Sequence, residues 1–386
     1  MKITFGRGRL ACVVGLLAFV VRLPFLAVAG NADLDAVLRF RISRLVIEPG
    51  WWVPIDIWLP AHFWLLAIPR ALGFTSSFAP RVMTAGASAA AVAFATGVAD
   101  RLFPRLAAAV IGILLALNPL DIHMSVITVA EPWVLLGVTA GLMAFLAYLE
   151  QGGPWPLCAS IGAFGFACAL RLEPWLLLPL LPVVVYWSGP LLGRGMPDGA
   201  MRRAWHVALG ASLVPLAWSV FSAFRWGDPL HVLTFNALRV RAHPQYQSTS
   251  AVDVLTFWPR VLLLSLGPIA VAAFSGASRL IRDGGPRLPI VLFGGLLALY
   301  YAFNFDQKLI TDVRYALFLV WLAVPGVAGW LGGAARRRHA GLLIASAALW
   351  LGTVLVMAEE WRSAPVLVRA ISPLPRWDRA VPFPDE

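Results

Sequence analysis

Charge is scarce in this chain. Of 386 residues, 31 are Lys or Arg and 20 are Asp or Glu, 13% in all. Soluble domains carry about 25%, so an ordinary water-soluble globule is excluded. Cysteine is nearly absent. Cys12, Cys158 and Cys168 share no metal-ligand spacing, and no two lie in one loop, which sets aside a disulfide framework and a cysteine zinc site. All three fall in hydrophobic segments and read as small packing residues. The six histidines (His62, His123, His206, His231, His243 and His339) are scattered, with no His-Glu-x-x-His motif. No glycine-rich loop of Walker spacing occurs, which disfavours ATP or a nucleotide sugar as the direct energy source. Apolar–polar alternation is also missing, so a β-barrel is set aside. No linker, low-complexity stretch or internal repeat divides the sequence.

What the chain has in place of charge is apolar length. It is 60% hydrophobic, with a mean hydropathy of +0.77. Spanning-length stretches fall at 10–32, 82–99, 106–120, 132–149, 151–170, 174–193, 204–224, 261–278, 288–305, 315–335 and 340–358. Each suits a helix crossing about 30 Å of hydrocarbon. The expectation is an all-α polytopic membrane protein of about eleven transmembrane helices, with one integral-membrane domain over 1–358 and an outer tail over 359–386. The net charge of +11 reports topology, not a nucleic-acid partner. With the N-terminus inside, 39 inner-loop residues hold 14 Lys or Arg, whereas 136 outer-loop residues hold 16. That bias is the positive-inside rule, and it puts the C-terminus outside. Ala27-Val28-Ala29 after a basic start has the look of a signal-peptide cleavage site, but Arg22 and Pro24 split the apolar run, and a retained first helix is expected.

Two outer loops are long. In the first, Ile57–Leu72 is apolar, yet Pro60, His62 and Pro69 interrupt it, and counting it as a span would invert every later loop. It reads as interfacial helices with Trp side chains at headgroup level. The second, about 225–260, holds Arg239, Arg241 and His243.

Carboxylates at a bilayer edge are costly and are functional candidates for that reason. Asp33 and Asp35 follow the first hydrophobic segment, and Glu131 opens the fourth. Each has a plainer reading. Asp before Ala36-Val-Leu-Arg suits a helix N-cap, and Glu131 before Pro132 suits a helix start. Outer arginines, with forked donors, suit a phosphate just outside the hydrocarbon. The candidates are Arg171, Arg239, Arg241 and Arg314; the alternative is snorkelling or headgroup contact, and for Arg171 pairing with Glu173. Trp52 could stack on a sugar or anchor the interface.

The order of short motifs resembles the GT-C superfamily of membrane glycosyltransferases, the kind related to protein O-mannosyltransferases and lipid A aminoarabinose transferases. Asp33-Leu-Asp35-Ala36 stands for the first-loop acidic motif, and Trp52-Val-Pro54 follows it. Ala79-Pro-Arg81 opens a helix, and Ala99-Asp-Arg-Leu-Phe-Pro-Arg105 makes the inner turn. Leu114-Leu-Ala-Leu-Asn-Pro-Leu120 leads to Glu131, Arg171-Leu-Glu173 resembles an Arg-aromatic-Glu element with Leu172 in the aromatic place, and Arg314-Tyr315 resembles a late Arg-Tyr element. Leu34 separates two acids that are often adjacent in the family, which leaves the base open between Asp35 and Asp33.

The resemblance implies transfer of a sugar from a polyprenyl-phosphate donor to a hydroxyl of a glycan, lipid or protein acceptor, at the outer face and with inversion. Asp35 or Asp33 would be the base, and Glu131 would position the acceptor or bind metal. Arg171, Arg239, Arg241 and Arg314 would hold the donor phosphate, with Trp52, Glu173, His243 and Tyr315 at the substrate. No cofactor is expected, and a divalent metal stays open. The implied location is a bacterial cytoplasmic membrane, with membrane lipid as a partner. A transporter or flippase of a lipid-linked glycan, or a non-catalytic scaffold of the same fold, are the alternatives.

Overall fold

The computed structural model describes residues 5–28, 33–47, 58–187, 198–242, 250–305, 313–331 and 336–357. The described residues are helical, with no strand among them. In chain order the helices are α1 Phe5–Val28, α2 Leu34–Ile42, α3 Ala61–Ala71, α4 Phe78–Leu102, α5 Arg105–Ala116, α6 Pro119–Ser125, α7 Glu131–Gln151, α8 Pro154–Leu170, α9 Glu173–Leu177 and α10 Leu180–Trp187. There follow α11 Ala200–Ala211, α12 Leu213–Trp226, α13 His231–Ala242, α14 Ala251–Leu266, α15 Ile269–Arg282, α16 Leu288–Phe305, α17 Ala316–Ala323, α18 Val327–Trp330 and α19 Arg336–Met357. The tail at 359–386 lies outside the described residues, as do Trp52 and His243.

The bundle is organised around α4, which packs against α1, α5 and α7, while α7 also packs along α8. The residues of α4 explain its place. Ala85, Ala87, Ser88, Ala89, Ala91, Thr96 and Ala99 are small and buried, so neighbouring backbones come close on every side. Lipid tails are as apolar as leucine, and helices in a bilayer gain mainly from such close packing. Between α7 and α8 a Cβ on Gly137 would lie 2.9 Å from the Ala163 carbonyl oxygen, so only glycine fits that approach. The converse surface is apolar and outward. On α1, Val13, Leu16, Leu17, Val20 and Leu23 are exposed at helical spacing, and on α12 so are Leu213, Leu216, Val220 and Phe224. A helix that buries small residues and shows large apolar ones is built for a lipid surround.

Five helical stretches among the described residues are long and apolar enough to cross a membrane: Gly8–Ala27, Phe78–Leu102, Glu131–Gln151, Ala200–Trp226 and Leu288–Phe305. Counting the bent pairs α5–α6 and α14–α15 as one span each gives seven among the described residues, with three shorter apolar helices besides, so the count of eleven is not confirmed. The difference has local causes. Proline disfavours helical backbone in the residue before it and lacks an N–H. At Asn118-Pro119 the chain bends by 56° between α5 and α6, and at Gly267-Pro268 it bends by 110° between α14 and α15. Gly267 has a φ of +54°, open to glycine at little cost. The stretch expected at 174–193 is divided into α9 and α10, and that at 315–335 into α17 and α18 around a 3-10 turn at Val324–Gly326.

Helix α3 has 11 residues and reaches about 16 Å, half a bilayer, so it is too short to span by itself. The cysteines correct the packing expectation in part. Cys168 is buried, but Cys12 and Cys158 are exposed.

Candidate functional site

The site is assembled where helix ends meet. Asp33 caps α2, its Oδ1 accepting from the Ala36 N–H at 3.0 Å. A capped start fixes the register of α2 and puts Asp35 and Arg39, one turn apart, on neighbouring positions of the same face. Helix α2 is tied to the loop before α7 by Thr128, whose hydroxyl donates to the Ala36 carbonyl at 2.8 Å. Arg81 on α4 holds the same loop, its Nε donating to the Val126 carbonyl at 2.6 Å and its Nη2 to that of Leu26 at 3.0 Å. Glu131 then opens α7, Arg171 closes α8 and Glu173 opens α9. A 3-10 turn, Val313–Tyr315, brings Arg314 and Tyr315 in from the far end of the sequence.

These side chains form one ionic network. Arg314 Nη1 lies 2.5 Å from Asp35 Oδ2, and its Nε lies 4.0 Å from Glu131 Oε1. Arg171 pairs with Glu131 through Nη1. It also grips Glu173, with Nε at 2.9 and 3.0 Å from the two carboxylate oxygens and Nη2 at 2.6 Å from Oε1. The Arg171 guanidinium sits 5.0 Å from the Tyr315 ring centre, and that of Arg314 sits 6.0 Å from it. Arg171 and Glu173 therefore pair with each other, and Arg171 pairs with Glu131 as well. Glu131 is buried, with 1% of its side chain exposed, whereas 20% of Asp35 and 15% of Arg314 stay exposed. A buried charge is tolerated when paired and hydrogen-bonded. The Asp35–Arg314 pair is the open side of the network.

Sequence reasoning missed Arg39 and His62. Arg39 is buried beside the network and is felt by Asp35 and Glu131. Its guanidinium lies 4.6 Å from the Trp58 ring centre, and Nη1 lies 3.4 Å from His62 Nδ1. Burial lowers Arg39 to about 10, with Asp35 and Glu131 pulling the other way, so it remains a cation at neutral pH. Burial first, then the Arg39 and Arg171 charges, hold His62 well below the usual histidine range. The ring is thus neutral, and because arginine only donates, Nδ1 is the acceptor. Counting Arg39, three guanidiniums face the three carboxylates of Asp35, Glu131 and Glu173. The one available sequence signal was the Asp35–Arg39 spacing on α2; nothing local marks His62, which arrives from another helix.

The remaining candidates are not brought into this network by any described contact. Arg239 and Arg241 lie on α13, with side chains outside the described ones, and Trp52 and His243 are outside the described residues. Among the described residues no three His, Cys, Asp or Glu side chains group to hold a metal ion. An apolar cavity of about 70 Å³, lined by Leu102, Leu135, Leu142, Phe164, Leu292 and Phe318 among others, lies within the bundle and includes none of the charged residues.

No protein-family model matches the sequence, and no curated protein matches it. Among solved structures, the chain is similar to ArnT from Cupriavidus metallidurans bound to undecaprenyl phosphate, with a TM-score of 0.62 at 18% identity. The match covers 90% of this chain and 64% of that one. This integral-membrane chain therefore has a helical fold similar to that of ArnT.

Proposed function

We propose that the chain is a glycosyltransferase that moves a sugar from a polyprenyl-phosphate donor to an acceptor hydroxyl at the outer face of a bacterial cytoplasmic membrane. One observation carries the reading: Asp35, Glu131, Arg171 with Glu173, and Arg314 with Tyr315, spread over 280 positions of sequence, meet in one network. The fold is that of a transferase whose structure holds undecaprenyl phosphate. The basic bias of the opposite loops supports the outer placement.

A sugar hydroxyl is a weak nucleophile, and a positioned carboxylate must take its proton as attack proceeds. Asp35 is the better base of the two first-loop acids, because the Asp33 carboxylate is engaged in capping α2 while Asp35 stands on the open side of the network. In the transfer, the acceptor oxygen attacks the anomeric carbon as the bond to the donor phosphate breaks, and the phosphate leaves with the electron pair. Attack opposite the leaving group inverts the centre. Arg314, and behind it Arg171 and Arg39, would offset the growing phosphate charge, which is worth most in a site with little water. Arg239 and Arg241 remain candidates for the same task. Glu131 would orient Arg171 and Arg314 and the acceptor between them.

The test is transfer by purified protein from radiolabelled polyprenyl-phosphate sugars, with Asp35→Asn beside wild type. Label on an acceptor with release of polyprenyl phosphate, lost in a folded Asp35→Asn, supports the reading. Donor binding without bond cleavage across a broad donor panel would replace it with a transporter or scaffold.

A further inference from the structure

A second buried ion pair lies away from the network. We propose that Arg22 and Asp121 are positioning residues: the pair sets the bend between α5 and α6 and thereby the placement of the loop that leads to Glu131. The kinetic part of this inference rests on the transferase reading above; the structural part does not.

Arg22 on α1 and Asp121 on α6 pair with no exposure of either side chain. Intramembrane charges are expensive and are kept for a reason. Here the partners of the guanidinium indicate the reason. Its Nη1 donates to the Ala18 carbonyl at 2.6 Å and lies 3.4 Å from the carbonyl of Ala116, the last residue of α5, while Nη2 meets Asp121 in the first turn of α6. One rigid fork therefore bridges the break at Leu117-Asn118. A carbonyl freed by a broken helix needs a donor when no water is near, and Arg22 supplies it. The far side of α6 is fixed as well. Ser88 on α4 donates to Asp121 at 3.0 Å. Asn118 caps α6 by accepting from the Asp121 N–H at 3.1 Å, and its Nδ2 donates to the Ser265 carbonyl of α14 at 3.0 Å. Three helices, α1, α4 and α14, thus hold one short helix at its bend.

That short helix controls the site by adjacency. Only Val126–Ala130 separate α6 from Glu131. Within those residues Arg81 holds the Val126 carbonyl, and Thr128 holds Ala36, next to Asp35. A change in the α5–α6 bend is therefore delivered to Glu131 and, through Thr128, to α2. The pair touches neither Asp35 nor Glu131, so its effect is on placement and not on charge at the reaction.

Removing one partner leaves a lone buried charge and can simply unfold the protein, so the decisive variant removes both. Replacement of a buried ion pair by apolar residues of similar volume is often neutral or stabilising. Arg22→Met with Asp121→Leu should retain the wild-type melting temperature within a few degrees while losing the bridge to Ala116. Misplacement of about 1 Å costs up to roughly 100-fold in rate, so kcat should fall by roughly 10- to 100-fold. KM for a polyprenyl-phosphate sugar should stay within about threefold, since ground-state contacts are untouched. Amide hydrogen exchange in 126–131 and 34–40 should quicken in the double variant, with that of α7 and α8 unchanged. A double variant with wild-type kcat, or with unchanged exchange in both segments, overturns the inference. If the wild-type protein transfers no sugar, the transferase reading fails and the exchange measurement alone decides this one.

Discussion

The molecule holds two buried ionic centres of different construction. Around Arg22 and Asp121 a single pair is sealed, with no exposure on either side, and its other partners are a serine and backbone groups. Around Glu131 the charges are several, alternate in sign, and grade from buried Glu131 to the partly open Asp35 and Arg314. A sealed pair cannot meet a substrate; it can only fix geometry. A graded network can exchange one of its internal partners for a ligand charge at its open edge while the buried members keep their places. The contrast separates a centre that holds the scaffold from one suited to chemistry, and each variant below tests one side of it.

Asp35→Asn should have the largest effect. It keeps shape and removes the base, for which losses of about 10²- to 10⁴-fold are usual, and here transfer should fall to the upper end while the protein still purifies folded. A folded Asp35→Asn with more than a tenth of wild-type kcat would move the base elsewhere. Arg22→Gln should act on the other centre and on stability. It strands Asp121 in the bundle, at a cost of about 3–5 kcal/mol, read as a lower melting temperature in detergent or bilayer. Equal melting temperatures for wild type and Arg22→Gln would erase the distinction drawn between the two centres.

Arg314→Gln should have a smaller effect than either. One charged hydrogen bond to the leaving phosphate is worth about 1.5–3 kcal/mol, so kcat/KM for the donor should drop roughly 10- to 100-fold, with little change in melting temperature because Arg314 is at the open edge. His62 gives a pH test. Its folded value lies well below 6.5, so between the two values the unfolded chain binds the proton and the folded one does not. Stability therefore falls as pH drops below about 6.5, by about 1.4 kcal/mol per pH unit for one proton. A His62→Gln protein should show a flatter melting profile between pH 6.5 and 5; an unchanged slope would locate the titrating group elsewhere. The smallest effect should come from Asp33→Asn. Asparagine caps as well as aspartate, so both stability and transfer should stay within about twofold of wild type, whereas Asp33→Ala should lose about 1 kcal/mol. Loss of transfer in Asp33→Asn would return the role of base to Asp33.

Composition and charge asymmetry alone determined that the chain is helical and lies in a membrane, because hydrocarbon leaves the backbone few ways to satisfy itself. Local chemistry also fixed the Asp33 cap and the start of α7 at Glu131-Pro132. The span count was less legible. Hydropathy sums over a window and does not register Asn118-Pro119 or Gly267-Pro268, where a single dipeptide turns an apolar run by a large angle. Most of the nominated network was readable as separate helix-end charges, since each stood at a boundary where a charge needs a reason. Who pairs with whom was not. Arg171 could have been satisfied by Glu173 alone, and Arg22 read as a blemish in an apolar run. Only tertiary packing, of α1 on α6, of α8 on α7, of α2 on α3 and of the 313–315 turn beside α2, brought Arg22 to Asp121, Arg171 to Glu131, Arg39 to His62 and Arg314 to Asp35. Pairing energy falls off over a few ångströms, and such distances between residues 23 to 279 positions apart are set by helix packing and not by any local pattern.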